Sequence, residues 1–163
     1  MKSFNRYGRV LTILFAAFLM FMAAISVGSA WVLGEKNSVP FKANAKANAV
    51  VVSPPPILEI YVYGSGHSTH MGNTTVWQHH FVDVISMTFY DGTFVWTAAN
   101  GDTLTGSYHG SLVPTSIGFE IHGYFTIDGG TGRFGDATGG GIASGMQYFD
   151  NTADLSLDGT IAY

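Results

Sequence analysis

The sequence predicts an all-β domain, a closed antiparallel barrel or a sandwich of seven or eight short strands. Three observations carry this. Ile117 to Ile127 alternates strictly, with Ile117, Phe119, Ile121, Phe125 and Ile127 on one face and Glu120, His122, Tyr124 and Thr126 on the other. Asp91-Gly92 and Asn100-Gly101 supply the positive φ that tight hairpin turns need. No stretch after Pro56 holds a helical period, and turn signals recur at strand-length intervals.

The segments follow in order. Lys2, Arg6 and Arg9 precede an apolar run from Val10 to Ile25, and Gly28-Ser29-Ala30 offers the small residues of a cleavage site. Residues 1–30 therefore read as a secretory signal peptide, which places the mature protein in the periplasm or outside the cell. The competing reading is an uncleaved anchor, because Val10 to Val27 approaches a membrane span in length. Once the peptide is removed, no membrane association is expected. Residues 31–56 read as a linker or loosely attached arm, repetitive from Phe41 to Ala49 and stiffened by Pro54-Pro55-Pro56. The folded domain is expected over residues 57–163. Its clearest other strands are Thr93–Thr97, with Phe94 and Trp96 on one face, and the closing run through Leu155, Leu157, Ile161 and Tyr163.

Composition excludes several functions. The chain has no cysteine, so it has neither a disulfide framework nor thiolate chemistry. From Ile57 onward one basic residue stands against ten acidic ones, a formal charge of −9 with neutral histidines. Such a surface repels a phosphate backbone, and nucleic acid is not an expected partner. Lys42 and Lys46 make too weak a case for anionic lipid and read as part of a solvated linker.

The densest motif is the run from Gly129 to Gly141, seven glycines around Arg133. Gly130 to Gly135 spells GxGxxG, yet more glycine follows where a dinucleotide site needs a helix N-terminus. The Gly-Lys-Ser/Thr ending of a phosphate loop is also absent. The run reads instead as a structural corner made by Gly130, Gly132, Arg133 and Phe134, with Phe134 plugging one end and Arg133 paired with a carboxylate such as Asp128 or Asp136.

Six histidines offer chemistry. His67-Ser68-Thr69-His70 has a metal-ligand spacing but no second close pair, and adjacent His79 and His80 must point to opposite faces of a strand. No metal or other cofactor is expected. Glu120, His122 and Tyr124 are the candidate catalytic set: a carboxylate beside an imidazole tunes a general base, and a phenol can donate to an oxyanion. That role requires their face to line the barrel, and the opposite face is the more apolar one, which favours an ordinary solvated strand. Trp77, Phe94 and Trp96 are the candidate ligand-binding rings in a chain that is 14% aromatic.

Gly66 to Gly72, Thr97 to Leu104, Gly129 to Phe134 with Ala137-Thr138-Gly139, and Gly159 to Tyr163 together resemble the allene oxide cyclase/dirigent-like barrel group, in particular its small exported bacterial members. The resemblance spans most of residues 57–163. It implies an eight-stranded antiparallel barrel, often a homotrimer, whose plant members steer cyclisation or radical coupling of hydrophobic small molecules. No catalytic role of those enzymes is carried over to a residue of this chain. The expectation is thus an exported, non-catalytic barrel that binds a hydrophobic small molecule or acts as an interaction module, with a cyclase or isomerase as the alternative. A pocket of several hundred Å³ at one barrel end, with polar groups converging, belongs to a binder or enzyme, whereas a filled interior belongs to a structural role.

Overall fold

A computed structural model describes residues 36–163. The expected signal peptide lies outside the described residues. The described residues form eight strands: β1 (Val39–Val51), β2 (Ile57–Ser68), β3 (Gly72–Asp83), β4 (Thr88–Ala98), β5 (Thr103–Pro114), β6 (Gly118–Gly130), β7 (Thr138–Tyr148) and β8 (Thr152–Ala162). Each pairs antiparallel with the next, and β8 pairs with β1, so the sheet closes into a barrel with no free edge.

This corrects the domain boundary. The stretch expected to be an arm supplies β1, bonded to β2 on one side and β8 on the other. Its repeat is a strand alternation with small inner residues. Phe41, Ala43, Ala45 and Ala47 are buried, while Lys42, Asn44, Lys46 and Asn48 face out. Alanine is a poor strand former, so the period of two carries no β-rich composition with it. Lys42 and Lys46 are not linker charges either. They pair with Asp158 (3.0 Å) and Asp154 (2.7 Å) across the β1–β8 seam.

A second correction concerns Asp91-Gly92. These residues form no hairpin turn but a bulge inside β4, where the register shifts between Phe89 and Gly92. Asp91 takes φ 51°, and the extra residue turns both Phe89 and Phe94 inward. A side chain on Gly92 would come within 2.8 Å of the Tyr108 ring, so glycine leaves the space that ring occupies. Asn100-Gly101 does form the β4–β5 turn, with Gly101 at φ 89°.

The two ends of the barrel differ. At the β6–β7 end the glycine run makes one 3₁₀ turn, Gly132–Phe134. Phe134 is fully buried there in one core cluster with Leu104, Ile127, Ala137 and Ile161. Gly132, at φ 59°, packs so close to the Asp102 carboxylate that any side chain would strike it. Among the described residues, Arg133 meets no carboxylate. Its guanidinium donates to the backbone oxygen of His70 and lies over the rings of Phe134 (4.9 Å) and Tyr163 (5.8 Å). The two expected carboxylates are engaged elsewhere: Asp136 pairs with Lys36, and Asp128 accepts from Ser107 at 3.1 Å. Arg133→Ala is expected to cost about 1 kcal/mol, from one hydrogen bond and two cation–π contacts near solvent, read as a slightly lower Tm. Ligand affinity at the other end of the barrel should not change, and a fall in affinity without a fall in Tm would contradict this placement.

Candidate functional site

The opposite half of the interior holds a cavity. It measures about 90 Å³ and runs from the middle of the barrel toward the end bounded by the β1–β2, β3–β4, β5–β6 and β7–β8 turns. Its walls come from nearly every strand, including Val62, Val82, Phe89, Trp96, Leu112, Ile121, Phe125, Ala153 and Leu157. The space exists because the barrel is asymmetric in side-chain size. Large rings project from β4 and β6, whereas Ala143 and Ala153 of β7 and β8 end at one methyl.

The polar members of this wall are Gln78, His80, Tyr108, Ser144, Gln147 and Ser156. Gln78 and His80 lie two apart on the inner face of β3, opposite the β4 bulge. The Tyr108 hydroxyl is 2.7 Å from Nδ1 of His80, and the ring of Tyr108 meets both His80 and Phe89 edge-on or tilted. Burial pushes the His80 imidazole down to about 4, and repulsion from neighbouring His79 adds to the effect. The ring is therefore neutral at pH 7. Burial likewise raises the Tyr108 phenol above its usual value and keeps its proton on. A phenol is a stronger donor than a neutral imidazole, so the hydroxyl donates to Nδ1 and the ring proton sits on Nε2. Gln147 is at the mouth, where Nε2 donates to Thr152 O at 3.1 Å. Trp96 is 1% exposed, and its indole N–H has no acceptor among the described residues.

Of the ring set expected to bind ligand, Phe94 and Trp96 line the cavity and Trp77 does not. Val76 and Gln78 point inward, so Trp77 between them must point out. It joins an outer row with Tyr61, His79, Phe81 and Tyr90, in which Tyr61 and Trp77 are 6.3 Å apart and Phe81 stacks on Tyr90 at 5.9 Å. The catalytic candidates also lie outside. The Glu120 and His122 side chains are 49% and 59% exposed and 3.3 Å apart, and Tyr124 is 64% exposed. Their strand turns Ile121 and Phe125 inward, so the acid–base trio faces bulk water and has no enclosed site to act in. His67 and His70 do not converge on a metal. His70 is held by Pro40 O (2.8 Å) and the Tyr163 hydroxyl (3.2 Å) at the closed end. Among the described residues, no three His, Asp or Glu side chains group as metal ligands.

Sequence reasoning missed Gln78, His80 and Tyr108. One signal was present: only one of His79 and His80 can enter a barrel. Choosing it requires knowing that β3 turns Val76 and Val82 inward and leaves its larger rings outside.

The fold and site define a closed eight-stranded antiparallel barrel with one packed end and one hollow, weakly polar end. No known family model, curated protein or solved structure matches the chain.

Proposed function

We propose that the protein is an exported barrel, periplasmic or secreted, that binds a small and mostly apolar molecule inside its hollow end without transforming it. The observation that carries this reading is the cavity itself, an apolar chamber with a neutral His80–Tyr108 pair and the Gln78 amide in its wall. At about 90 Å³ it is smaller than a drug-sized site and suits a ligand on the scale of benzene or a short branched chain. Export rests on the basic and apolar pattern of residues 1–30. The resemblance to the allene oxide cyclase/dirigent-like group agrees with an eight-stranded barrel that handles hydrophobic molecules, and trimer formation is part of the same proposal.

The cyclase or isomerase alternative loses Glu120, His122 and Tyr124 as its acid–base set. It would have to use His80 and Tyr108, the only titratable side chains in the cavity wall among the described residues. An interaction module is the remaining reading, supported by the outer aromatic row around Trp77.

Titration with toluene, followed by methyl NMR, tests the binder. Shifts are expected at Val62, Val82, Ile121 and Leu157, and Ala153→Leu should abolish them by filling the chamber, at an overpacking cost of about 1–3 kcal/mol. Shifts confined to the outer face, or none at saturating toluene, would overturn the reading.

A further inference from the structure

We infer that the cavity selects an uncharged, compact apolar molecule carrying one hydrogen-bond acceptor, a carbonyl or ether oxygen, which meets the Nε2–H of His80 and the amide N–H of Gln78. This rests on the binder reading above and specifies its ligand class. Three observations support it.

The first is unused donor capacity in the wall. His80 uses Nδ1 on Tyr108 and has no partner at Nε2 among the described residues. Gln78 is 8% exposed, lines the chamber, and its amide makes no side-chain hydrogen bond among those residues. Trp96, on the same wall, buries an indole N–H without an acceptor. Free N–H donors thus stand around the space, beside the acceptor oxygens of Gln78 and Gln147. A buried donor without a partner is costly, so a ligand that brings an oxygen gains more than one that brings only carbon.

The second is the absence of charge. Among the described residues, no Asp, Glu, Lys or Arg lines the chamber. A carboxylate or ammonium ligand would enter without a counter-ion and forfeit its hydration, an exchange that enclosed apolar sites do not repay.

The third is the way the donors are held. The Tyr108 hydroxyl fixes the imidazole tautomer, and the Tyr108 ring is seated against Gly92 at the β4 bulge. The Nε2–H direction is therefore set before a ligand arrives, which lowers the ordering cost of binding.

The test is a calorimetric or NMR titration at pH 7 with three probes of one ring size: cyclohexanone, cyclohexane and cyclohexanecarboxylate. Cyclohexanone is expected to bind about tenfold more tightly than cyclohexane, and the carboxylate at least a hundredfold more weakly than the ketone. The double variant Gln78→Leu with His80→Phe should bring cyclohexanone down to the affinity of cyclohexane. The wild-type ratio is decisive even if that variant does not fold. Equal binding of ketone and hydrocarbon, or strong binding of the carboxylate, would overturn the acceptor rule while leaving the chamber a binding site. Failure of all three probes to bind would overturn both.

Discussion

Phe134→Ala is expected to destabilise the barrel by about 3–5 kcal/mol and to lower Tm on the order of 10–20 °C. Phe134 is among the largest side chains that are completely enclosed. It packs against Tyr163 with ring centroids 5.0 Å apart and carries the Arg133 guanidinium on its face. The turn that presents it cannot collapse to fill the space. Gly132 is pressed against Asp102, and Thr131 is tied to Thr103 through its side chain (2.9 Å to the Thr103 N–H) and its backbone (3.0 Å). The cavity term therefore adds in full to the lost transfer energy. Phe134→Leu retains most of the apolar volume and should cost less than half as much. Urea melts of the two variants, with unchanged m-values, measure the difference. A loss below about 1 kcal/mol for Phe134→Ala would show that the glycine run is not the plug of the packed end.

The strands legible in the sequence are those whose two faces differ in kind. Phe125 and Ile127 against Tyr124 and Thr126 in β6, or Phe94 and Trp96 against Thr93 and Thr97 in β4, leave one assignment, and the buried rings are where alternation puts them. The reading fails where a face is defined by size instead of polarity. The inner face of β1 is Phe41 followed by Ala43, Ala45 and Ala47, and Ala43 and Ala45 sit in the core cluster that rings from β4 and β6 already fill. β3 is ambiguous in the opposite sense. Trp77 and Phe81 look like the core face, but Gln78 and His80 are the residues that enter. A large ring at 77 would need space that Trp96 and Phe94 take, so the smaller, more polar face turns in and creates the site. Asp91-Gly92 misleads for a related reason. The same positive φ that turns a hairpin also builds a bulge, and only the pairing of β4 with β5 decides which. The site escaped the sequence because the barrel closure that assembles it draws His80 and Tyr108 from strands separated by β4.

Between pH 6.5 and about 4 the barrel is expected to lose about 3 kcal/mol of stability, and His80→Phe should abolish most of that loss. The His80 imidazole titrates near 6.5 when unfolded and near 4 when folded. In that interval the unfolded chain binds a proton that the folded barrel refuses, so stability rises with pH through the window and falls as the solution is acidified. Above 6.5 both states are neutral at this position and the contribution is complete. The groups that face His80 do not offset its charge. Tyr108 is a neutral phenol, Gln78 is an amide, and His79 on the outside of the same strand adds repulsion. Asp83, Asp136, Asp150 and Asp154 are held below the usual 3.8 by hydrogen bonds or ion pairs, so their own loss of stability falls at lower pH than that of the imidazole. Denaturation midpoints measured from pH 7.5 to pH 4 would give the slope for each protein. Parallel slopes in wild type and His80→Phe would mean that His80 is hydrated in the folded state, and the chamber would then be a solvent inlet with no capacity to hold an apolar guest.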